Sequence, residues 1–484
     1  MRGVYRRWSV HGTGCLCLAK PKGWRKPTTG GTLGLLLLPV LLAAQDYTLE
    51  PWINPVDVYA GYTLTMRINV HFTGGKADHV YFTSLSASGS GIDVKPDCGW
   101  ANPDCWKIGG KPGLWNSNPA TSFDVKVTPA RGTAPGPYAV DLATASLGIA
   151  HKVRLPIRVL AVPATPRRAG LPQKAPPLPG FKSWHSEMTD TGDQFCDPKA
   201  KYGFGNERDV WYYDGAYVYF QVYDYTKKPK WKACAMNVAN QYRDYVQGGG
   251  TPGWRVFTQG LRRAYEETGD ASYKNAVAAL IDRSAFAPRN GDADDLAIRE
   301  TAYLLRGFTD AHLMGVAVGA ARAQTAANYL IGMADTLFAG PPESTNAMIH
   351  EAFFDGILAE ALIYYYDNWV KDPRIPPTIR KLCGWIYEYL WDRKSKAMMY
   401  SPFPPNQGYP RHCESGCREE ERTLINLVVP AYFWYWSLTG DDAVRRQGDE
   451  MFAHSLDDPI NDKGKSYSQN YHWSFAGVRW RTGK

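Results

Sequence analysis

Residues 211–226 read WYYDGAYVYFQVYDYT, eight aromatic rings and two carboxylates in sixteen positions. By propensity alone this is a strand, because Tyr, Val and Phe suit extended backbone. Wound as a helix, it sets Trp211, Gly215, Val218 and Val222 on one side and Tyr213, Tyr217, Phe220 and Asp224 on another. The surrounding sequence decides for the helix.

Downstream a turn phrase recurs, AYEETGDASYKNAV at 264–277 and YWSLTGDDAVRRQG at 435–448. In each, a helix ends at Thr, Gly supplies a left-handed cap and Asp opens the next helix. VYDYTKKPKWKACA (222–235) and YYDNWVKDPRIPPTI (365–379) are looser versions, with Pro early in the second helix. The repeat predicts first helices near 209–224, 254–268, 296–313, 349–369, 421–438 and 468–480. Second helices fall near 230–246, 271–287, 319–338, 375–392 and 441–455. First members such as IHEAFFDGILAEALIYYY are apolar nearly all round, and second members such as RKLCGWIYEYLWDR are amphipathic. The first set is therefore an inner ring and the second an outer ring. A sixth outer helix is missing: either the ring is incomplete or the segment before residue 209 closes it.

The hairpin count, the TGD turns and the closing QNYHWSFAGVRWR (469–481) resemble the six-hairpin glycosidase superfamily, the (α/α)6 toroid. The resemblance covers roughly residues 185–484 and implies a carbohydrate-active domain, without a catalytic motif of any one family. Residues 46–162 differ in kind. TLTMRINVHF, HVYFTSL, SFDVKVTP, YAVDLATAS and HKVRLPIRVLAV alternate with period two between turn residues, the pattern of an antiparallel β-sandwich. The run TPARGTAPGPYAVDLATASLGIAHKVRLPIRVLAV resembles the last strands of bacterial immunoglobulin-like modules. The expected class is thus multidomain: an all-β immunoglobulin-like sandwich (46–162), a Pro-rich spacer (163–180) and an all-α toroid (181–484).

Residues 1–45 hold seven basic residues and no acid, and LGLLLLPVLLAA (33–44) is an uninterrupted apolar run. Too short for a comfortable span, it reads as a signal-peptide core cleaved near Asp46, which predicts a secreted, periplasmic or cell-surface protein. An uncleaved anchor is the alternative and gives the only expected membrane contact. Without this segment 48 basic residues face 47 acidic ones, a balance that excludes a nucleic-acid binder. Export suits local bridges Cys98–Cys105 (DCGWANPDC) and Cys413–Cys417 (CESGC). Cys196 with Cys234 is a conjecture, and Cys383 is read as a buried thiol. His412 beside Cys413 and Cys417 lacks an evident fourth ligand, so no metal or other cofactor is expected.

Turns from inner to outer helices are short, whereas the returns at 288–295, 339–348, 393–420 and 456–467 are long. The long loops share the end at which every inner helix begins, and long loops are where function concentrates. Carboxylates on those apolar helices are costly unless paired or functional. For a glycoside hydrolase the pool of acids and bases is Asp209, Asp214, Glu300, Glu351 and Asp355. Trp211, Tyr212, Trp254 and Trp473 supply stacking surfaces for a polysaccharide or oligosaccharide, with His350 beside Glu351. A polysaccharide lyase needs a Tyr or His base and Arg or Asn to neutralise a uronate, roles open to Arg255, Arg422, Asn470, Tyr471 and His472. A non-catalytic carbohydrate-binding or surface protein would keep the rings and need no carboxylate pair. Each residue also has a structural reading: Asp209 as a helix cap, Glu351 with Asp355 as a pair held by Arg or Tyr, Tyr471 and Trp473 as core plugs. Asp214, one turn inside its helix among rings, is the first choice of general acid, and Asp224, beside the short turn, is structural.

Overall fold

Strand Ile149–Leu160 shows why the amino-terminal region is β: Leu155, Ile157 and Val159 are buried while Pro156 and Arg158 between them face solvent. The computed structural model describes residues 46–51, 56–73, 81–96, 122–146, 149–162, 175–206, 208–250, 255–283, 297–318, 320–342, 351–402, 420–457, 460 and 464–483. Eight strands lie in the first part: β1 (Asp46–Pro51), β2 (Val56–Tyr59), β3 (Leu64–Thr73), β4 (Tyr81–Ala87), β5 (Ile92–Pro96), β6 (Ser122–Pro129), β7 (Gly136–Ser146) and β8 (Ile149–Leu160). They form two four-stranded sheets, ordered β1-β3-β6-β5 and β2-β8-β7-β4. Inward residues of both, among them Ile68, Val127, Leu142 and Ile157, pool into one core. The Tyr47 hydroxyl meets the Thr144 hydroxyl across the sheets at 2.8 Å.

One pairing departs from the antiparallel expectation. β2 runs parallel to β8, in a register that sets Asp57 against Arg158. There the guanidinium grips both carboxylate oxygens, at 2.8 and 2.7 Å.

The helical part has an inner set, α3 (Gly215–Thr226), α5 (Gln259–Thr268), α7 (Ala297–Leu313), α9 (Ala352–Asn368), α11 (Ile425–Thr439) and the short pair α13 (Gly464–Tyr471) and α14 (Ser474–Thr482). The outer set is α4 (Pro229–Gln247), α6 (Ala271–Arg283), α8 (Ala320–Leu337), α10 (Ile375–Tyr389) and α12 (Asp442–Phe452). Each inner helix packs on the next, and α13 returns to α3, so the inner ring closes. The TGD turns cap as their chemistry requires. Gly269 and Gly440 sit at φ 69° and 78°, and Asp441 accepts from the Ala443 and Val444 N–H groups.

The missing outer helix is α1 (Phe181–Asp190), which is followed by the single turn α2 (Gly192–Phe195). Tyr471 and Tyr467 donate to the carbonyls of Trp184 and Met188, and Trp184 Nε1 donates to Ser474 Oγ. A disulfide, Cys196–Cys234, ties the chain after α2 to α4. Cys383 is a buried free thiol, and Cys98, Cys105, Cys413 and Cys417 lie outside the described residues.

Residues 45–484 form one compact unit. β3 packs on α8, where a side chain at Gly332 would meet Leu64. The Arg374 guanidinium, bonded to Asp372 and Asn328, lies 4.1 Å from the ring centre of Tyr62.

Candidate active site at the amino-terminal rim of the inner helices

The opening stretch forms its helix later than expected. Trp211–Asp214 make a turn and α3 starts at Gly215, so Asp214 is the residue that caps the helix instead of lying one turn inside it. Tyr213 and Asp214 both take left-handed backbone, at φ 58° and 57°. Two adjacent non-glycine residues in that region are strained, and such strain clusters at functional positions. Gly215 makes the turn passable, because any side chain there would run into the Val210 carbonyl. The Asp214 carboxylate joins two helices: one oxygen accepts from Tyr217 N–H at 3.2 Å and the other from Gly260 N–H at 3.0 Å. Burial raises its pKa, while His472, the two N–H groups and Arg306 oppose the rise.

The first turns of α7 and α9 carry polar groups of unusual character. On α7, Glu300 is 1% exposed. Its Oε1 takes Nε and Nη2 of Arg299 at 3.0 and 2.8 Å, while its Oε2 is buried without a hydrogen-bond partner. Burial lifts the Glu300 pKa despite Arg299. On α9, Asp355 is buried, its Oδ2 has no hydrogen-bond partner among the described residues, and its pKa stands well above its ordinary value, through burial first and then the charge of Glu351. Glu351 precedes α9 and accepts from the Tyr400 hydroxyl at 3.1 Å. The two carboxyls thus differ in environment: one is pressed toward its neutral form and the other accepts a hydrogen bond from a phenol.

Cations and phenols complete the cluster. The buried Tyr213 phenol is pushed well up by burial and by Tyr303 and Tyr212, with Arg299 opposing and Tyr400 adding to the rise. Arg255, before α5, lies 5.8 Å from the Trp211 ring centre and 6.0 Å from that of Tyr212. Burial, and then the charge of Arg299, lowers its pKa. Tyr400 was not among the sequence candidates. It follows the small hairpin β9 (Trp391–Asp392) and β10 (Ala397–Met398) in a long return loop, and its backbone carbonyl bonds Ala352 N–H. The length of that loop was the one available signal.

Other sequence candidates stand elsewhere. Asp209 accepts from the neighbouring Val210 N–H in the turn before α3. Trp211 is 1% exposed, donates to the Asn206 carbonyl and packs among Phe204, Tyr242 and Phe257. Asn470 pairs with Asn426, Tyr471 closes the ring through Trp184, and Arg422 bonds the Ser395 carbonyl and Glu420. Trp254 and His350 lie outside the described residues.

Deeper along the ring axis His472 Nε2 is 2.8 Å from Glu360 Oε1 and 2.7 Å from Arg306 Nη1, and Arg306 also meets Glu360 Oε2 at 2.7 Å. Burial alone would raise the Glu360 carboxyl, but Arg306 and His472 outweigh it and bring the pKa to about 2. Beyond this network a cavity of about 660 Å³ opens at the carboxy-terminal end of the inner helices, with His472 and Trp473 in its wall. Asp224 lies there too, paired with Arg263 at 3.0 Å.

No family model matches the sequence, and no curated protein sequence does. Several solved structures are similar in backbone. An unsaturated glucuronyl hydrolase from Streptococcus agalactiae aligns at 12% identity over 56% of this chain and 81% of its own, with a TM-score of 0.41. A sugar epimerase from a ruminal bacterium aligns at 10% identity over 58% of this chain and 87% of its own, with a TM-score of 0.43. A polysaccharide lyase aligns at 12% identity over 84% of this chain but only 58% of its own, with a TM-score of 0.32. Likenesses this distant, spread over three reaction classes, leave the chemistry to the site itself.

Proposed function

We propose that the helical part is a glycoside hydrolase working at the amino-terminal rim, with Asp355 as general acid and Glu351 as its carboxylate partner. The observation that carries this reading is the buried, partnerless Oδ2 of Asp355 beside a second carboxyl held by Tyr400. Glycosidic cleavage needs a carboxylic acid still protonated at neutral pH, to give its proton to the leaving oxygen, and an ionised carboxylate as base or nucleophile. Burial that holds Asp355 toward its protonated form, beside the half-buried Glu351, assigns the acid's role. Glu300 is the third carboxyl of the cluster, and Asp214 positions α3 against α5. The substrate is a polysaccharide or oligosaccharide, and the half-buried Tyr400 is the ring of the cluster open to meet it.

A second reading, elimination by a polysaccharide lyase, draws support from Arg255 and Arg299, whose charges act on one another beside the phenols of Tyr213 and Tyr303. Paired guanidinium groups suit a uronate carboxylate. A panel of neutral and uronate polysaccharides, read by reducing ends and by the absorbance of unsaturated product, tests both. Reducing ends without that absorbance are expected. Absorbance appearing with reducing ends overturns hydrolysis in favour of elimination, and neither signal overturns both in favour of binding alone.

A further inference from the structure

The cavity of about 660 Å³ at the carboxy-terminal end lies between α3, α5, α9 and α14, and its volume is ample for one or two sugar rings. None of the rim carboxyls lines it. Its walls include Tyr217, Tyr364, Trp473, Phe475 and Trp480, flat faces suited to the C–H face of a saturated ring.

Three polar side chains lining the cavity are nine-tenths or more buried, and each keeps an atom without a hydrogen-bond partner among the described residues. Gln221, 6% exposed, spends its Nε2 on the carbonyls of Tyr471 and His472 at 3.3 and 2.8 Å, which fixes the amide and leaves Oε1 unpaired. Gln259, 3% exposed, likewise has a partnerless Oε1. His472, 2% exposed, commits Nε2 to the Glu360–Arg306 network and leaves Nδ1 unpaired. Buried polar atoms are normally satisfied, so three such deficits on one cavity describe what is missing from it: hydrogen-bond donors above all.

Most charges in the wall are already engaged; the exposed Arg479 side chain makes no ion pair or hydrogen bond among the described residues. Asp224 holds Arg263, Glu360 holds Arg306, and Arg262 is bonded to Asp310, which also accepts from the Tyr364 hydroxyl. An ionic ligand would have to displace one of these pairs or be an anion that reaches Arg479 alone, whereas a neutral polyol supplies hydroxyl donors to the amide oxygens and a ring face to the aromatics.

We infer that this cavity is a second ligand site, distinct from the rim, for one neutral pyranose unit as a free sugar or the end of a chain. The inference does not depend on the rim being catalytic.

The test is calorimetric titration of the full chain with glucose, N-acetylglucosamine, glucuronate and choline, repeated on Gln259→Leu, Trp480→Ala and Asp355→Asn. Leucine fills the place of Gln259 without its acceptor, and Trp480 is only half-buried, so the two variants remove recognition by independent routes. Binding of a neutral sugar is expected, weakened about tenfold by each cavity variant, the scale of one hydrogen bond or one stacking face, and unchanged in Asp355→Asn. Circular dichroism and Tm exclude variants that have lost the fold. The inference is overturned if no neutral sugar binds, if choline or glucuronate is preferred, or if binding survives both folded cavity variants. Hydrolysis persisting without sugar binding here leaves the rim reading intact, and sugar binding without hydrolysis leaves this one.

Discussion

Asp355 is a carboxyl that the fold keeps neutral, and that has a cost readable as pH dependence. Its folded pKa is raised, by burial and then by Glu351. The proton it holds therefore adds stability that is fully present below the ordinary carboxyl range and is lost as pH rises toward the raised value. Asp355→Asn keeps the shape without the charge, so Tm should rise relative to the parent at mildly alkaline pH and stay level near the ordinary carboxyl pKa of about 4. The same variant should cut turnover by about 10²–10⁴-fold, the usual worth of a general acid. Scanning calorimetry across pH and a rate assay on one sample check both. A stable but fully active variant would remove Asp355 from the chemistry. The i, i+4 spacing of Glu351 and Asp355 suggested in the sequence that both lie on one side of a helix, but Glu351 has extended backbone just before α9 and only Asp355 is on the helix. Tyr400 was not legible, since its contact with Glu351 is made across 49 residues of chain.

At the scale of elements, the junction of α3 with α5 rests on one aspartate and two glycines. Gly260 stands where a side chain would press on the Asp214 carboxylate and Ala216. Gly260→Ala should therefore destabilise the protein by about 1–3 kcal/mol, the usual cost of overpacking, although alanine is the better helix former. Urea unfolding measures this, and an unchanged or raised midpoint would mean that α5 can shift at no cost. Here propensity and position disagree, and position wins. The same holds for the opening stretch, whose tyrosines and valines favour strands yet sit on α3 because Ala216, Val218, Tyr219 and Phe220 are buried among neighbouring helices.

For the whole molecule, two ties close the architecture. Cys196–Cys234 clamps a loop of 38 residues. Replacing both cysteines by serine should cost about 3–4 kcal/mol from the freed chain entropy of the unfolded state. Equilibrium unfolding of the double variant against the oxidised parent checks it, and equal midpoints would show that the bridge adds nothing. The second tie lies between β3 and α8, and between Tyr62 and Arg374. The sequence placed a boundary at residue 180, but Pro176 accepts from Arg481, Leu178 is buried in the helical core and Gly180 lies against the end of α12. A chain beginning at residue 175 should fold with native helix content and a lower Tm, while one beginning at 181 should lose further stability. Equal melting of all three would show that neither the sheets nor the spacer's end supports the ring.

What the sequence determined by itself was local and periodic. Alternation with period two made strands, apolar residues all round made inner helices, and Thr-Gly-Asp ended one helix and began the next, because each of these needs only neighbours along the chain. Closure was a different matter. That α1 supplies the sixth outer helix follows from Trp184 meeting Tyr471 and Ser474 about 290 residues away, a match of shape and hydrogen bonds that no local pattern announces. The site divides the same way. Loop lengths pointed to one end of the ring, but which carboxyls lack partners among the described residues, and that a cavity opens at the other end, depend on burial. Burial exists only once the ring has closed.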